Sequence, residues 1–314
     1  MSAEVKKIAT RQGYGDGLLE LAQQHEDVVV LDADLAHATG TQIFRDKYPD
    51  RFIDVGIAEQ NLVGMAVGLS HVGYVPFASS FALFLAGRGG EIIRNSAAYS
   101  NANAKFVGSH SGITPVGDGG THQCIEDLGY MRAIPNMTIF SPCDYNQTKQ
   151  LVKLAYAVNG PVYMRTSREP VPLLTGEDDF IEVGKAQVLR DGKDLCIIAT
   201  GFPVSLALEA AALLEEKGAS VAILNIHTIK PLDAQAIERY AKRCGRVLVV
   251  EEHNIYGGLS EAVAGVLAGR DGIAFDRIGI EDEFGQSGGT AEVLGAYGMT
   301  ASNILCHAEA LLGQ

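Results

Sequence analysis

The sequence has no apolar run approaching the ~20 residues that a membrane-crossing helix needs, so no helical membrane segment is expected. It has no excess of basic charge. Lysine and arginine total 25 against 38 acidic residues, a net charge of −13. Such a chain repels phosphate backbones, which argues against nucleic acid as a partner, although a few local arginines can still hold a small anion. Cysteine is sparse: five residues, an odd number, with no C-x-x-C spacing. That excludes a disulfide framework and fits a reduced, cytoplasmic chain. The first residues, 1–11, mix charges and lack the apolar core of a secretory signal. Short repeats and low-complexity tracts are missing too, which argues against a solenoid or a disordered tail.

What is present is globular. The chain has 314 residues, 47% of them hydrophobic, with 36 glycines for tight turns, enough for two domains. Compact apolar runs at 28–31, 52–55, 105–108, 137–140 and 161–164 alternate with helical patterns near 58–70, 82–99, 123–132 and 145–158. This alternation predicts βα units around a parallel sheet with helices on both faces. The pattern breaks near 169–182, where EPVPLLTGEDDF carries prolines and an acidic cluster and predicts a linker. A second, smaller α/β series follows, with strands at 195–199, 220–224 and 246–250. The expected domains are 1–175 and 188–314.

Ligands of open α/β sheets sit beyond the carboxyl ends of the strands, so the residues there are the candidates. Asp34 follows the first run. Glu59 follows the second, in DVGIAEQN, where Gly56 permits a tight strand-to-helix turn. Phe81 and Phe84 lie one turn apart in SSFALFLAGR. His110, Asp118 and His122 share one glycine-rich loop, SHSGITPVGDGGTHQ, and imidazoles suit proton transfer near neutral pH. Arg168 follows the run at 161–164, and Arg11 stands near the start; guanidinium forks bind phosphate oxygens in pairs.

VGIAEQN, the F-x-x-F segment and the H-x7-D-G-x-x-H-Q spacing resemble the transketolase family, from about residue 9 to 312. The resemblance implies a thiamine diphosphate-binding fold: a pyrimidine-binding domain followed by a transketolase C-terminal domain. It implies that Glu59 hydrogen-bonds the aminopyrimidine, that Phe84 first and Phe81 second pack on it, and that Asp34 lies near the cofactor. His110 and His122 would contact the sugar and assist proton transfer, so Glu59, His122 and His110 are the expected catalytic residues. Asp118 would read an acceptor hydroxyl, and Arg11 and Arg168 would clamp the acceptor's terminal anion. Two departures qualify the substrate: Gly117 stands where the family has an acid, and Ala38 where it has a serine.

The diphosphate-binding domain of such enzymes finds no counterpart in this sequence. The expected cofactors are therefore thiamine diphosphate and Mg²⁺, held mainly by a partner. That partner would be an N-terminal transketolase subunit in an α2β2 assembly. No metal ligands are expected here. Gly117–Asp118–Gly119 followed by Asn146 imitates the family's metal motif, but its glycines lie inside the substrate loop. EEHNIYGG resembles the C-terminal domain that transketolases share with 2-oxoacid dehydrogenase β subunits, and His253 within it reads as structural. The alternatives are a deoxyxylulose-phosphate synthase-like enzyme, a dehydrogenase β subunit and a non-catalytic partner subunit.

Overall fold

The computed structural model describes residues 6–313. In chain order the strands are β1 (Lys7–Ala9), β2 (Val28–Asp32), β3 (Phe52–Asp54), β4 (Val75–Phe81), β5 (Lys105–Ser109), β6 (Thr138–Phe140), β7 (Val162–Arg165), β8 (Pro170–Pro172), β9 (Gln187–Arg190), β10 (Leu195–Ala199), β11 (Val221–Asn225), β12 (Thr228–Lys230), β13 (Arg246–Asn254) and β14 (Ala274–Ile280).

The first large sheet has the order β12-β6-β7-β5-β4-β2-β3, and the second β14-β13-β10-β11-β9. All neighbours in the first sheet are parallel except the edge strand β12, which runs antiparallel to β6. Every residue of β2, β4, β5 and β7 is buried, as expected for strands covered by helices on both faces. The chain leaves β2 toward one edge through β3 and returns to the other side of β2 as β4. The order reverses there, which opens a crevice at the carboxyl ends of β2 and β4.

The structure departs from the sequence reading in three places. Residues 75–81, VPFASSF, form the central strand β4, although a proline and two serines hide it from an apolar-run search. Pro76 sits at the second position of this strand. The helix expected from 123 begins only at Asp127, because Cys124 forms isolated bridges with Ser111 and Gly112. The glycines at 13, 15 and 17 lie inside the helix Thr10–Ala22. A side chain at Gly13 would strike the Tyr145 carbonyl at 2.5 Å, and one at Gly15 the Gly40 carbonyl at 2.4 Å, so these glycines let the helix press against its neighbours. The supposed linker is tied down at its start: β8 pairs with β1, and Leu174 and Thr175 donate their amides to buried Asp144.

The two halves are also sewn together. β12 belongs by sequence to the second series yet completes the first sheet, and Lys230 at its end donates to the carbonyls of Arg132 and Ile134.

Close packing behind the crevice gives a direct test. Gly108 on β5 leaves no room for a side chain: a Cβ would lie 2.4 Å from the Tyr163 hydroxyl and 2.9 Å from the Ala82 Cα. Gly108→Ala is expected to cost about 1–3 kcal/mol in urea unfolding. Gly108→Ala with Tyr163→Phe should not restore the wild-type midpoint, because the Ala82 backbone remains and buried Asp127 loses the Tyr163 hydroxyl. An unchanged unfolding midpoint in the single variant contradicts this packing.

Candidate active site

Glu59 is placed by the turn before it. The Asp54 carboxylate, at the end of β3, accepts from the backbone amides of Asp34 (3.1 Å) and Gly56 (2.8 Å). Gly56 takes φ +71°, a conformation that favours glycine. The chain then starts the helix Glu59–His71 with Glu59 as its first residue, so the carboxylate lies at the positive end of the helix and is 2% exposed. Ser80 on β4 donates to one oxygen at 3.2 Å, and Arg88 donates to the other at 3.1 Å. Sequence reasoning passed over Asp54, Ser80 and Arg88. The last two flank the F-x-x-F segment, which was the available signal.

Phe81 ends β4 and Phe84 lies in the helix Ala82–Arg88; their rings stack at 5.8 Å. The two aromatics face different partners. The Arg88 guanidinium lies over the Phe84 ring, 4.4 Å from its centroid, while Phe81 stacks on His110 at 4.1 Å. His122 meets both rings edge-on, at 5.3 Å from Phe84 and 6.1 Å from Phe81.

His110 follows β5 with φ +59°, a strained geometry for a non-glycine residue and one that collects at functional sites. It is buried, and its Nδ1 lies 2.9 Å from the Ser109 hydroxyl. Burial pushes its pKa down to about 3, helped by the charges of Arg11, Arg168 and His122. It is therefore a neutral hydrogen-bonding imidazole at physiological pH, not the near-neutral titrating group expected of both histidines from the sequence.

Beyond the histidines lie the arginines. Arg168 pairs with Asp118 at 2.8 Å. Arg11 donates to the Ala38 carbonyl at 2.9 Å, so Ala38 contributes its backbone there. Burial lowers the Arg11 pKa, and the neighbouring charge of Arg168 lowers it further, against the raising effect of Glu169 and Asp118. Two guanidiniums that repel each other in a half-buried place form a site that an anion would relieve.

The structure thus brings Glu59, Phe81, Phe84, His110, His122, Asp118, Arg168 and Arg11 to one rim of the first sheet. Asp34 stands apart, exposed at φ +62° and joined to the Glu59 turn through Asp54. Asn146 spends its amide on the Thr175 carbonyl. His253 accepts from the Gly129 amide at 3.2 Å and contacts the Asn254 carbonyl, a packing role.

The Arg88 guanidinium serves as a stand-in for a flat nitrogen ring. It lies on an aromatic face and donates to a buried carboxylate, so Glu59, Ser80 and Phe84 fit an aminopyrimidine placed in the same way. This fold and rim define an α/β chain with parallel sheets flanked by helices, whose rim carries stacked aromatics, a buried carboxylate and a pair of arginines. Residues 6–172 match the transketolase pyrimidine-binding domain and residues 184–304 the transketolase C-terminal domain. The chain belongs to the transketolase family.

Its relatives include the 6-deoxy-6-sulfo-D-fructose transketolase subunit SqwH of Clostridium sp., 41% identical over 94% of this chain and 92% of that one. An apulose-4-phosphate transketolase subunit of Phocaeicola vulgatus is 38% identical over 95% of each chain. A solved split-gene transketolase, an inactive β4 tetramer, superposes with a TM-score of 0.91 at 43% identity, covering 98% of this chain and 99% of that one.

The burial of His110 predicts a pH effect on stability. Its folded pKa, about 3, lies below its ordinary value of 6.5, so protons bind the unfolded chain first as pH falls. This stability is present above pH 6.5 and is lost progressively toward pH 3. Between pH 7 and 4 the residue should account for up to about 3 kcal/mol of acid destabilisation. His110→Asn, which tolerates the same backbone, should show a shallower fall in urea unfolding over that range; identical slopes refute the prediction.

Proposed function

We propose that this chain is the C-terminal subunit of a two-chain, thiamine diphosphate-dependent transketolase that moves a two-carbon ketol unit from a ketose to an aldose. The observation that carries the reading is the joint placement of Glu59, Phe84, His110, His122 and the arginine pair on one rim. The domains are taken as 1–175, pyrimidine-binding, and 188–314, C-terminal. Bound thiamine diphosphate supplies the carbanion chemistry that breaks and remakes the C–C bond.

The chain's own residues do the rest. Glu59, braced by Ser80, holds the aminopyrimidine by a hydrogen bond, and Phe84 gives it a stacking face. His110 donates or accepts as a neutral imidazole at the sugar's first carbons, while His122, less buried, carries the proton-transfer role. Asp118, held by Arg168, reads an acceptor hydroxyl, and Arg11 with Arg168 fixes the terminal anion. Asp34 supports the cofactor side through the Asp54 turn. An N-terminal subunit supplies the diphosphate and Mg²⁺ ligands, in an α2β2 complex within the cytoplasm. Free cysteines at all five positions fit that compartment.

The anion carries the substrate question. Named relatives act on a sulfo sugar and on a sugar phosphate. With Ala38 in place of a hydroxyl, the acceptor anion rests chiefly on the two guanidiniums, which suits a terminal sulfonate as well as a phosphate.

Reconstitution with a diphosphate-domain subunit is the test. The complex should transfer ketol units between anionic sugars, and Glu59→Ala should reduce the rate about a hundred-fold or more. Thiamine-dependent ketol transfer by the single chain would sink the two-chain reading, and full activity of the Glu59→Ala complex would leave a non-catalytic subunit as the better one.

Arg88 gives a second prediction. Its side chain is 53% exposed yet covers both the Phe84 face and the outer oxygen of Glu59. Arg88 occupies the two places that a pyrimidine ring would need, so it would have to swing outward for the ring to bind. Arg88→Ala should lower the cofactor Kd of the complex about two- to five-fold, in line with the small worth of a half-exposed ion pair. Calorimetry that shows weaker binding instead assigns Arg88 to holding the cofactor.

A further inference from the structure

The loop 110–123 extends from the first sheet, but much of what grips it belongs to the second half of the chain. Glu252, on β13 and 5% exposed, accepts the Thr114 amide at 2.7 Å. It presses so closely that a Cβ at Gly112 would lie 2.2 Å from its carboxyl carbon; Gly112 also needs φ +73°. Two residues along β13, the Asn254 amide donates to the Ile125 carbonyl at 2.7 Å. A second grip comes from the segment after β14. The Gly288 amide donates to Val116, Gln123 donates to the Gln286 carbonyl, and side chains at Gly119 and Gly120 would collide with Ser287 and Gly285.

We infer that Glu252 is a positioning residue, a carboxylate from the second half that sets the 110–123 loop and so seats His110, Asp118 and His122 for substrate. The part of this that concerns substrate rests on the proposed transketolase reading; the clamp itself does not. A carboxylate suits the task because a charged acceptor makes a stronger bond to an amide than a neutral one.

The charged groups around Glu252 are few. Arg165 on β7 donates Nη2 to the Glu252 carbonyl at 3.1 Å and Nε to Asp127 at 3.0 Å, so Asp127 balances Arg165 while Glu252 takes only part of its field. Burial then raises the Glu252 pKa to about 7, against the lowering effect of Arg165 and of the hydrogen bonds from Thr114 and Ile113. The clamp therefore loses its charge through the neutral range as pH falls.

Two variants test this in the full chain, alone and with its partner subunit. In Glu252→Ala, amide exchange at 113–116 should rise about ten- to a hundred-fold, with little change in the strands of the first sheet. In the complex, KM for the sugar should rise more than kcat falls. Glu252→Gln keeps an acceptor, so it should retain most of the exchange protection while flattening the pH dependence of KM around pH 7. Unchanged exchange at 113–116 in Glu252→Ala overturns the clamp, as does a rise spread evenly over the chain. If the wild-type complex shows no ketol transfer, the proposed function fails while the exchange result still decides the clamp. If the wild-type complex is active but Glu252→Ala leaves KM unmoved, the inference fails alone.

Discussion

One buried guanidinium holds the seam of this molecule. Arg165, at the end of β7, is 5% exposed and would be costly there without compensation. Its Nε meets Asp127, which also accepts from the Tyr163 hydroxyl at 2.7 Å, and its Nη2 meets the carbonyls of Cys124 and Glu252. Those partners belong to four different pieces of chain: the sheet, the helix Asp127–Ala133, the end of the histidine loop and β13 of the second half. Because these bonds reach from the sheet to both the loop and β13, the relative placement of loop and second half is fixed by charge-assisted hydrogen bonds as well as by packing. The proposed site inherits its geometry from this junction.

The chemistry on the rim follows from unequal surroundings. Glu59 and His110 are both nearly inaccessible, yet they meet opposite surroundings. The carboxylate sits at a helix start with two donors. The imidazole sits among cations that discourage a second proton. Asp32, behind them, is buried too; its pKa rises to about 6 through burial, despite hydrogen bonds from Thr39, the Leu35 amide and Thr41. It shapes the 33–41 segment that carries Asp34 and Ala38. A charged residue in this region is therefore either a tool or a brace, and only its neighbours distinguish the two.

That distinction explains what the sequence could disclose. The parallel sheet was legible because fully buried strands such as VVVL are written as continuous apolar runs, and the rim was legible because chemistry-bearing residues follow those runs. β4 was not, since its burial comes from its central place in the sheet rather than from its own side chains. Glu59 and the two histidines stood inside spaced motifs. Ser80, Arg88, Asp54 and Glu252 stand in or beside motifs too, yet each is a single polar residue whose meaning lies in a contact with chain 20 to 138 residues away. Gly112 shows the same limit. In sequence it is one more loop glycine, and only the carboxylate pressed against it shows why no side chain fits.

The half-site also explains its own cover. A carboxylate left 2% exposed without a cation would burden the folded chain. Arg88 supplies that cation from a half-exposed position, close enough to satisfy Glu59 and loose enough to leave. The flat guanidinium on Phe84 is the shape that the proposed cofactor ring would take up. Folding of the free chain and assembly of the proposed enzyme therefore use the same two surfaces in succession. A stronger internal partner, such as a fully buried arginine, would favour the first at the expense of the second. The modest strength of a half-exposed ion pair lets one sequence serve both.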